Sequence, residues 1–273
     1  MGFIGFIGGF LGFMVGGPLG ALAGFVIGSL FDGSSNSDNG SSWIGGGGSY
    51  GNSADEESYR QAQGQRNSFL FSLLVLATYI IRADGRVMHS EMEYVRRFLR
   101  DNFGEDAERQ GNDIMLKLFE EQKRQDAQSP GSWQRTIRDC CRQISANLNE
   151  SMLQELLHFL VLIAKADGQV PTSEVNALYE VAGYLGLSHA DVDSMLHLGA
   201  AGSSGGSLED AYKVLGLTPD ATDDEVKAAY RRMALKHHPD RVATLGDDVK
   251  KAAEKKFQEI NAAKDLIYKA RGL

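Results

Sequence analysis

The sequence predicts an all-α chain in three parts: an N-terminal transmembrane helix, a central helical bundle with an internal repeat, and a C-terminal helical hairpin. Three observations carry this prediction. Residues Phe3 to Phe31 contain no charged side chain. A ten-residue pattern in the middle of the chain recurs at an offset of 83 residues. Near the C-terminus, two apolar stripes at helical spacing flank His238-Pro239-Asp240.

At 273 residues the chain has room for one to three domains. Its net charge is −8. Residues 208–273 hold 13 basic against 12 acidic residues, so they carry +1 and the first 207 carry −9. A local basic helix in an acidic chain argues against nucleic acid as a partner. The two cysteines, Cys140 and Cys141, are adjacent, a spacing that rarely bridges. No disulfide framework is expected, consistent with a reducing compartment.

Residues 1–32 read as a membrane anchor. As a helix, Phe3 to Phe31 would reach about 43 Å, longer than a hydrocarbon core of ~30 Å. It can therefore cross once, tilted, with a kink at Gly16-Gly17-Pro18. A hairpin there would leave arms of roughly 21 Å, too short to span. No Lys or Arg precedes the apolar run, so it reads as an uncleaved anchor and not a signal peptide. Gly8, Gly12, Gly16, Gly20, Gly24 and Gly28 recur every fourth residue. They make a smooth stripe on which two helices can associate in lipid, so a homodimer through this helix is expected. Charge does not orient the span, because the first basic residue after it is Arg60.

Residues 33–66 are rich in Gly, Ser and Asn and read as a flexible linker. Residues 67–198 read as helical. Leu70, Leu73-Leu74, Ala77 and Ile80-Ile81 keep helical spacing, as do Leu153, Leu156-Leu157, Leu160 and Ile163. The repeat pairs Arg82-Ala83-Asp84-Gly85-Arg86-Val87 with Lys165-Ala166-Asp167-Gly168-Gln169-Val170. Each copy is an apolar helix, an Asp-Gly turn and an acidic helix opened by Ser90 or Thr172-Ser173. The region between the copies supplies further helices, broken near Ser129-Pro130-Gly131-Ser132. This Ala-Asp-Gly-x-Val pattern resembles the TerB-like helical family, tied to tellurite resistance. Asp84 and Asp167, with Glu91 and Glu174, are weak candidates for a divalent cation, because neither copy has the alternating oxygen ligands of a calcium loop. Helix-capping carboxylates are the simpler reading.

Residues 199–207 form a second Gly/Ser linker, and residues 208–273 a last module. Leu208 to Gly216 reads as a short helix stopped by glycine. Thr222 and Glu225 form a capping-box signature, so a long helix starts near Asp223. On it Val226, Ala229, Tyr230, Met233 and His237 share one side. Lys227, Arg231, Arg232 and Lys236 occupy the other, around Leu235, a leucine ringed by cations that reads as a contact site. A second stripe, Ala253, Phe257, Ile260, Ala263 and Ile267, can pair with the first. Pro239 lacks an N–H and pushes His238 out of helical geometry, so it ends the helix in a rigid corner.

Tyr212 to Gly216, Tyr230 to Arg241 and Phe257 to Ala263 together resemble a J domain, the module of DnaJ-type co-chaperones. The resemblance implies that His238, Pro239 and Asp240 trigger ATP hydrolysis by a DnaK-type Hsp70. It implies that Lys227, Arg231, Arg232, Leu235 and Lys236 form its docking face, and that Tyr212, Leu215, Tyr230, Phe257 and Ile260 are core. The loop 242–248 looks long, so the last helix is expected to start late, near Lys250. The order anchor, linker, repeat domain, linker, J domain resembles the membrane-anchored DnaJ-like co-chaperones of Gram-negative bacteria. That resemblance implies a single-pass inner-membrane protein, its C-terminal part cytoplasmic, with membrane lipid and Hsp70 as partners. No cofactor and no catalytic residue are expected, since no nucleophile–base pair, P-loop or zinc motif occurs. A rival reading is a membrane-tethered metal- or stress-sensing interaction protein centred on the repeat domain.

Overall fold

The computed structural model of the chain describes residues 16–31, 54–85, 89–166, 168, 170–197, 207–245 and 247–273. Every regular element among them is helical. Helix α1 spans Gly17–Phe31, α2 Ala54–Ile81, α3 His89–Phe103, α4 Glu105–Gln128 and α5 Ser132–Ser145. Helix α6 spans Glu150–Ala164, α7 Thr172–Leu185 and α8 His189–His197. The last module contains α9 Leu208–Val214, α10 Asp223–Lys236, a 3-10 segment Pro239–Leu245 and α11 Asp247–Arg271.

Helix α6 is the axis of the bundle. Asn149 caps it, its side-chain oxygen accepting from the Met152 N–H at 3.0 Å. Its residues are buried on nearly every side, which a helix attains only when neighbours surround it. It packs against α2, α3, α7 and α8, and α2 in turn meets α4, α5 and α7. Phe69 and Phe98 close on Phe159 from two sides, with ring centroids 6.4 and 4.6 Å away.

The repeat corresponds to the pairs α2–α3 and α6–α7. Gly85 (φ 80°) and Gly168 (φ 87°) hold the left-handed positions that reverse the chain in each copy. The expected hydroxyl caps are not where helices start. The N-cap of α7 is Pro171, with no side-chain cap bond, and α3 begins at His89, ahead of Ser90. In the second copy the fixed φ of proline sets the helix entry in place of a hydroxyl. Glu91 and Glu174, each in the first turn of its helix, are both 2% exposed.

Helix α2 starts at Ala54, inside the stretch that composition assigns to a linker. The Gly/Ser run ends there. The break between α4 and α5 falls at 129–131, where Gly131 is left-handed (φ 74°). Cys140 and Cys141 are free and fully buried in α5. Burial, with Asp139 nearby, pushes the Cys140 thiol up to about 12, so it stays protonated and unreactive.

Helix α1 holds the second half of the apolar N-terminal stretch. Its 15 residues make about 22 Å, and among the described residues no helix is long and apolar enough to cross a membrane. Leu19, Leu22, Ala23, Val26 and Ile27 are buried, and the helix lies on α4 and α5. Gln143 of α5 binds its start: the side-chain oxygen accepts from the Leu19 N–H (3.1 Å) and the amide nitrogen donates to the Gly16 carbonyl (3.0 Å). A Cβ on Gly17 would stand 2.7 Å from that Gln143 oxygen, on backbone at φ +69°, so only glycine fits. Gly16, Gly24 and Gly28 face outward with open space beside them. Gly8 and Gly12 lie outside the described residues.

Leu157 is fully buried in the axial helix. Leu157→Ala is expected to cost about 2–5 kcal/mol of stability, read as a lower urea midpoint with unchanged m-value.

Candidate functional site

The candidate site is the corner at His238-Pro239-Asp240, and four devices place it. Ser207 and Asp210 form a capping box that starts α9, so the last residue of the Gly/Ser stretch already belongs to the folded module. Gly216 (φ 68°) ends that helix, and Tyr212, Val214 and Leu215 are buried beneath it. Thr222 and Glu225 cap α10 reciprocally: the Glu225 N–H donates to Thr222 Oγ1 (3.3 Å) and the Thr222 N–H to the Glu225 carboxylate (2.6 Å). At the far end of the hairpin, the Arg271 guanidinium stacks 5.1 Å over the Tyr212 ring and binds Asp223 (2.9 Å) and the Pro219 carbonyl (3.0 Å).

Helix α10 stops at Lys236, with the His237 N–H still donating to the Met233 carbonyl (3.0 Å). Val226, Ala229, Met233 and His237 are buried, as their shared side predicts. The chain then turns at Pro239 into the 3-10 segment. The Asp240 N–H donates to His238 Nδ1 (3.3 Å), the Arg241 N–H to the His238 carbonyl (3.1 Å), and the Arg241 guanidinium to the Leu235 carbonyl (3.2 Å). The His238 ring meets Phe257 edge-on at 5.7 Å. Phe257, expected in the core, is only half-buried and serves as the wall behind His238. Tyr230 is also half-buried, its hydroxyl donating to Asn261 at 2.9 Å. The expectation of a long loop and a late last helix is corrected: buried Val242 and Leu245 fold the segment into 3-10 turns, and α11 starts at Asp247.

Arg231, Arg232, His238 and Asp240 are exposed, and Leu235 is 67% exposed. Lys227 and Pro239 are half-buried. Lys236 is different. Its ammonium sits 3.0 Å from Glu150 at the start of α6 and 3.4 Å from Asp191 in α8, with the side chain 22% exposed. The module is thus seated on the central bundle. The 3-10 segment packs on α2 and α6, α10 on α6, and α9 on α8, where Ser194 Oγ donates to the Val214 carbonyl.

A second ion pair lies deeper in this seam. Lys256 of α11 is 3.5 Å from Glu155 of α6, the two side chains 0% and 2% exposed. His158 of α6 and His237 are buried beside it. Burial pushes the Lys256 ammonium down and the Glu155 carboxyl up, each against the pull of its partner. Burial, and then the Lys256 charge, hold His158 and His237 well below the usual histidine range, so both are neutral. Asp191, though burial opposes its charge, is kept ionised by hydrogen bonds from Ser188 and by Lys236. Sequence reasoning did not reach Glu150, Glu155, His158, Asp191 or Lys256. A signal existed: Glu155 and His158 interrupt the apolar run of α6, and Lys256 falls between Ala253 and Ile260 on the apolar stripe of α11.

Of the weak cation candidates, Asp84 is exposed and Asp167 lies outside the described residues. Among the described residues, no three His, Cys, Asp or Glu side chains gather where they could hold a metal ion.

Three families match the chain in order: the co-chaperone DjlA transmembrane domain at residues 1–48, tellurite resistance protein TerB at 71–197, and the DnaJ domain at 210–271. The chain belongs to the DjlA co-chaperone family. The co-chaperone protein DjlA of Photobacterium profundum is 29% identical over 97% of this chain and 98% of its own. That of Haemophilus influenzae is 28% identical over 100% and 99%, and that of Pasteurella multocida 27% over 100% and 99%. No solved structure matches. DjlA membership makes this a membrane-anchored DnaJ-type co-chaperone, a regulator and not an enzyme.

The buried histidines set a pH dependence. Above the ordinary value of 6.5 they are neutral whether buried or released, and cost nothing. As pH falls below it, the released side chains take protons that the buried ones refuse, so the folded seam loses stability, by about 1.4 kcal/mol per withheld proton per pH unit. Glu155 opposes this, because its raised carboxyl takes up a proton in the seam more readily than in water. His158→Gln removes one histidine contribution and leaves Glu155. The thermal midpoint of that variant is expected to fall less than the wild type's between about pH 7.5 and about pH 5.5.

Proposed function

We propose that the protein tethers a DnaK-type Hsp70 at the inner membrane and stimulates its ATPase through His238, Pro239 and Asp240. The observation that carries this reading is the exposed, proline-fixed corner at the end of a cationic helix, inside a segment matching the DnaJ domain. Arg231, Arg232 and Lys227 supply a positive surface on which an acidic partner is steered, and Leu235 supplies an apolar contact at its centre. His238 and Asp240 present a donor and acceptors on backbone that Pro239 has immobilised, so little ordering entropy is lost on docking.

The anchor is read as a single pass that takes α1 off α4 and α5 into lipid, with the C-terminal part in the cytoplasm, where ATP and Hsp70 reside. Two anchors associating along Gly16, Gly20, Gly24 and Gly28 would place two J domains side by side. Family membership and the outward, unobstructed position of Gly24 and Gly28 support this arrangement. The central bundle would select or hold clients.

The test is the steady-state ATPase rate of a DnaK-type Hsp70 with the full chain reconstituted in phospholipid nanodiscs. Wild type is expected to stimulate, and His238→Gln to lose at least about tenfold of the effect, or roughly 1.4 kcal/mol of coupling. No stimulation by wild type, or equal stimulation by the variant, overturns the reading. Leu235→Ala is expected to raise the co-chaperone concentration needed for half-maximal stimulation without moving the thermal midpoint, since that side chain packs on little. Added salt should raise the same concentration, because the steering charges are exposed.

A further inference from the structure

The docking helix is not wholly free. Lys236, its last cation, is shared between Glu150 and Asp191 of the central bundle (3.0 and 3.4 Å). These carboxylates present to Lys236 what an acidic partner would present, and they stand beside the His-Pro-Asp corner. The contact at Lys236 is partly solvated, so another carboxylate surface can compete for it.

The seam behind it holds together imperfectly. Lys256 Nζ lies 3.5 Å from Glu155, too far for a good charge-assisted hydrogen bond. Lys256 Nζ, Glu155 Oε1, His158 Nδ1 and His237 Nδ1 are all buried with no hydrogen-bond partner among the described residues. A polar group buried without a good hydrogen bond weakens the docked state. The segment joining the two bodies, residues 199–207, is composed of Gly, Ala and Ser. Specific contacts with uncompensated buried polar groups make an interface that can part.

We infer that the central bundle is an intramolecular latch on the J module: Glu150 and Asp191 occupy Lys236, Glu155 occupies Lys256, and Hsp70 completes its docking only by displacing the bundle. The inference rests on the Hsp70 reading for its consequence, not for the latch itself.

Zero-length carbodiimide cross-linking reads the latch directly in the nanodisc-bound full chain. A cross-link between Lys236 and Glu150 or Asp191, found by mass spectrometry, is expected in the protein alone. Its yield should fall several-fold with saturating ATP-bound DnaK-type Hsp70. Glu155→Lys sets two ammonium groups against each other and should abolish the cross-link. It should also lower the co-chaperone concentration for half-maximal ATPase stimulation by about three- to tenfold. Adding Lys256→Glu restores an opposite pair and should bring both readouts back toward wild type, which a merely misfolded single variant cannot do. Absence of the cross-link in wild type overturns the latch. So does a yield indifferent to an Hsp70 that is being stimulated, or a double variant that behaves like the single one. If no Hsp70 is stimulated at all, the functional reading fails, and the latch is decided by the cross-link in the wild type and the two charge-reversed forms.

Discussion

Lys256 and Glu155 are withdrawn from water together, and neither can remain so charged without the other. Removing water from an ammonium costs several kcal/mol even after relaxation, about as much as its neighbour returns. Such a pair adds little net stability, and a well-packed apolar pair would serve that end as well. What it supplies is selectivity of placement. Breaking it by changing one partner leaves a bare buried charge, at roughly 3–5 kcal/mol, so the J module has one seat on the bundle. The remaining contacts between the two parts, α9 on α8 and the 3-10 segment on α2 and α6, fall around that fixed point.

Helix α6 therefore has two tasks. Its leucines and phenylalanine hold the bundle together, while Glu150, Glu155 and His158 run along it toward the C-terminal module. Helix α10 is divided the same way. Val226, Ala229 and Met233 bind it to α11, and its cations and Leu235 face outward. Only Lys236 turns toward the bundle. The hairpin can present its corner because capping at Thr222 and the Arg271 clamp fix the opposite end.

The sequence carried the helical class, the repeat, the caps of α10 and the residues of the corner, because each depends on local spacing or on a residue with a single steric meaning. Pro239 stops α10, and Gly85 and Gly168 hold the left-handed turns. Contacts between parts far apart in sequence were not legible. Lys256 stands in a run of lysines whose composition reads as solvated, and its place on the apolar stripe does not tell which helix covers it. Phe257 reads as core by spacing, yet it is half-buried, with the His238 ring edge-on against it. The start of α2 at Ala54 escaped because its first turns are polar and have no apolar stripe to announce them.

Two neighbouring histidines end α10 with opposite fates. His237 is 4% exposed and neutral in the seam, while His238 stands in solvent against Phe257. Successive residues on a helix are about 100° apart, so the distance from the Thr222 cap to this dipeptide acts as a ruler. One residue fewer in α10 would carry His238 into the place of His237 beside Lys256, and one residue more would carry His237 out to the place of His238. The length of that helix is consequently the least negotiable dimension of the chain. Insertions have room in the Gly/Ser stretches and in the segments between bundle helices, but none between the cap and the corner.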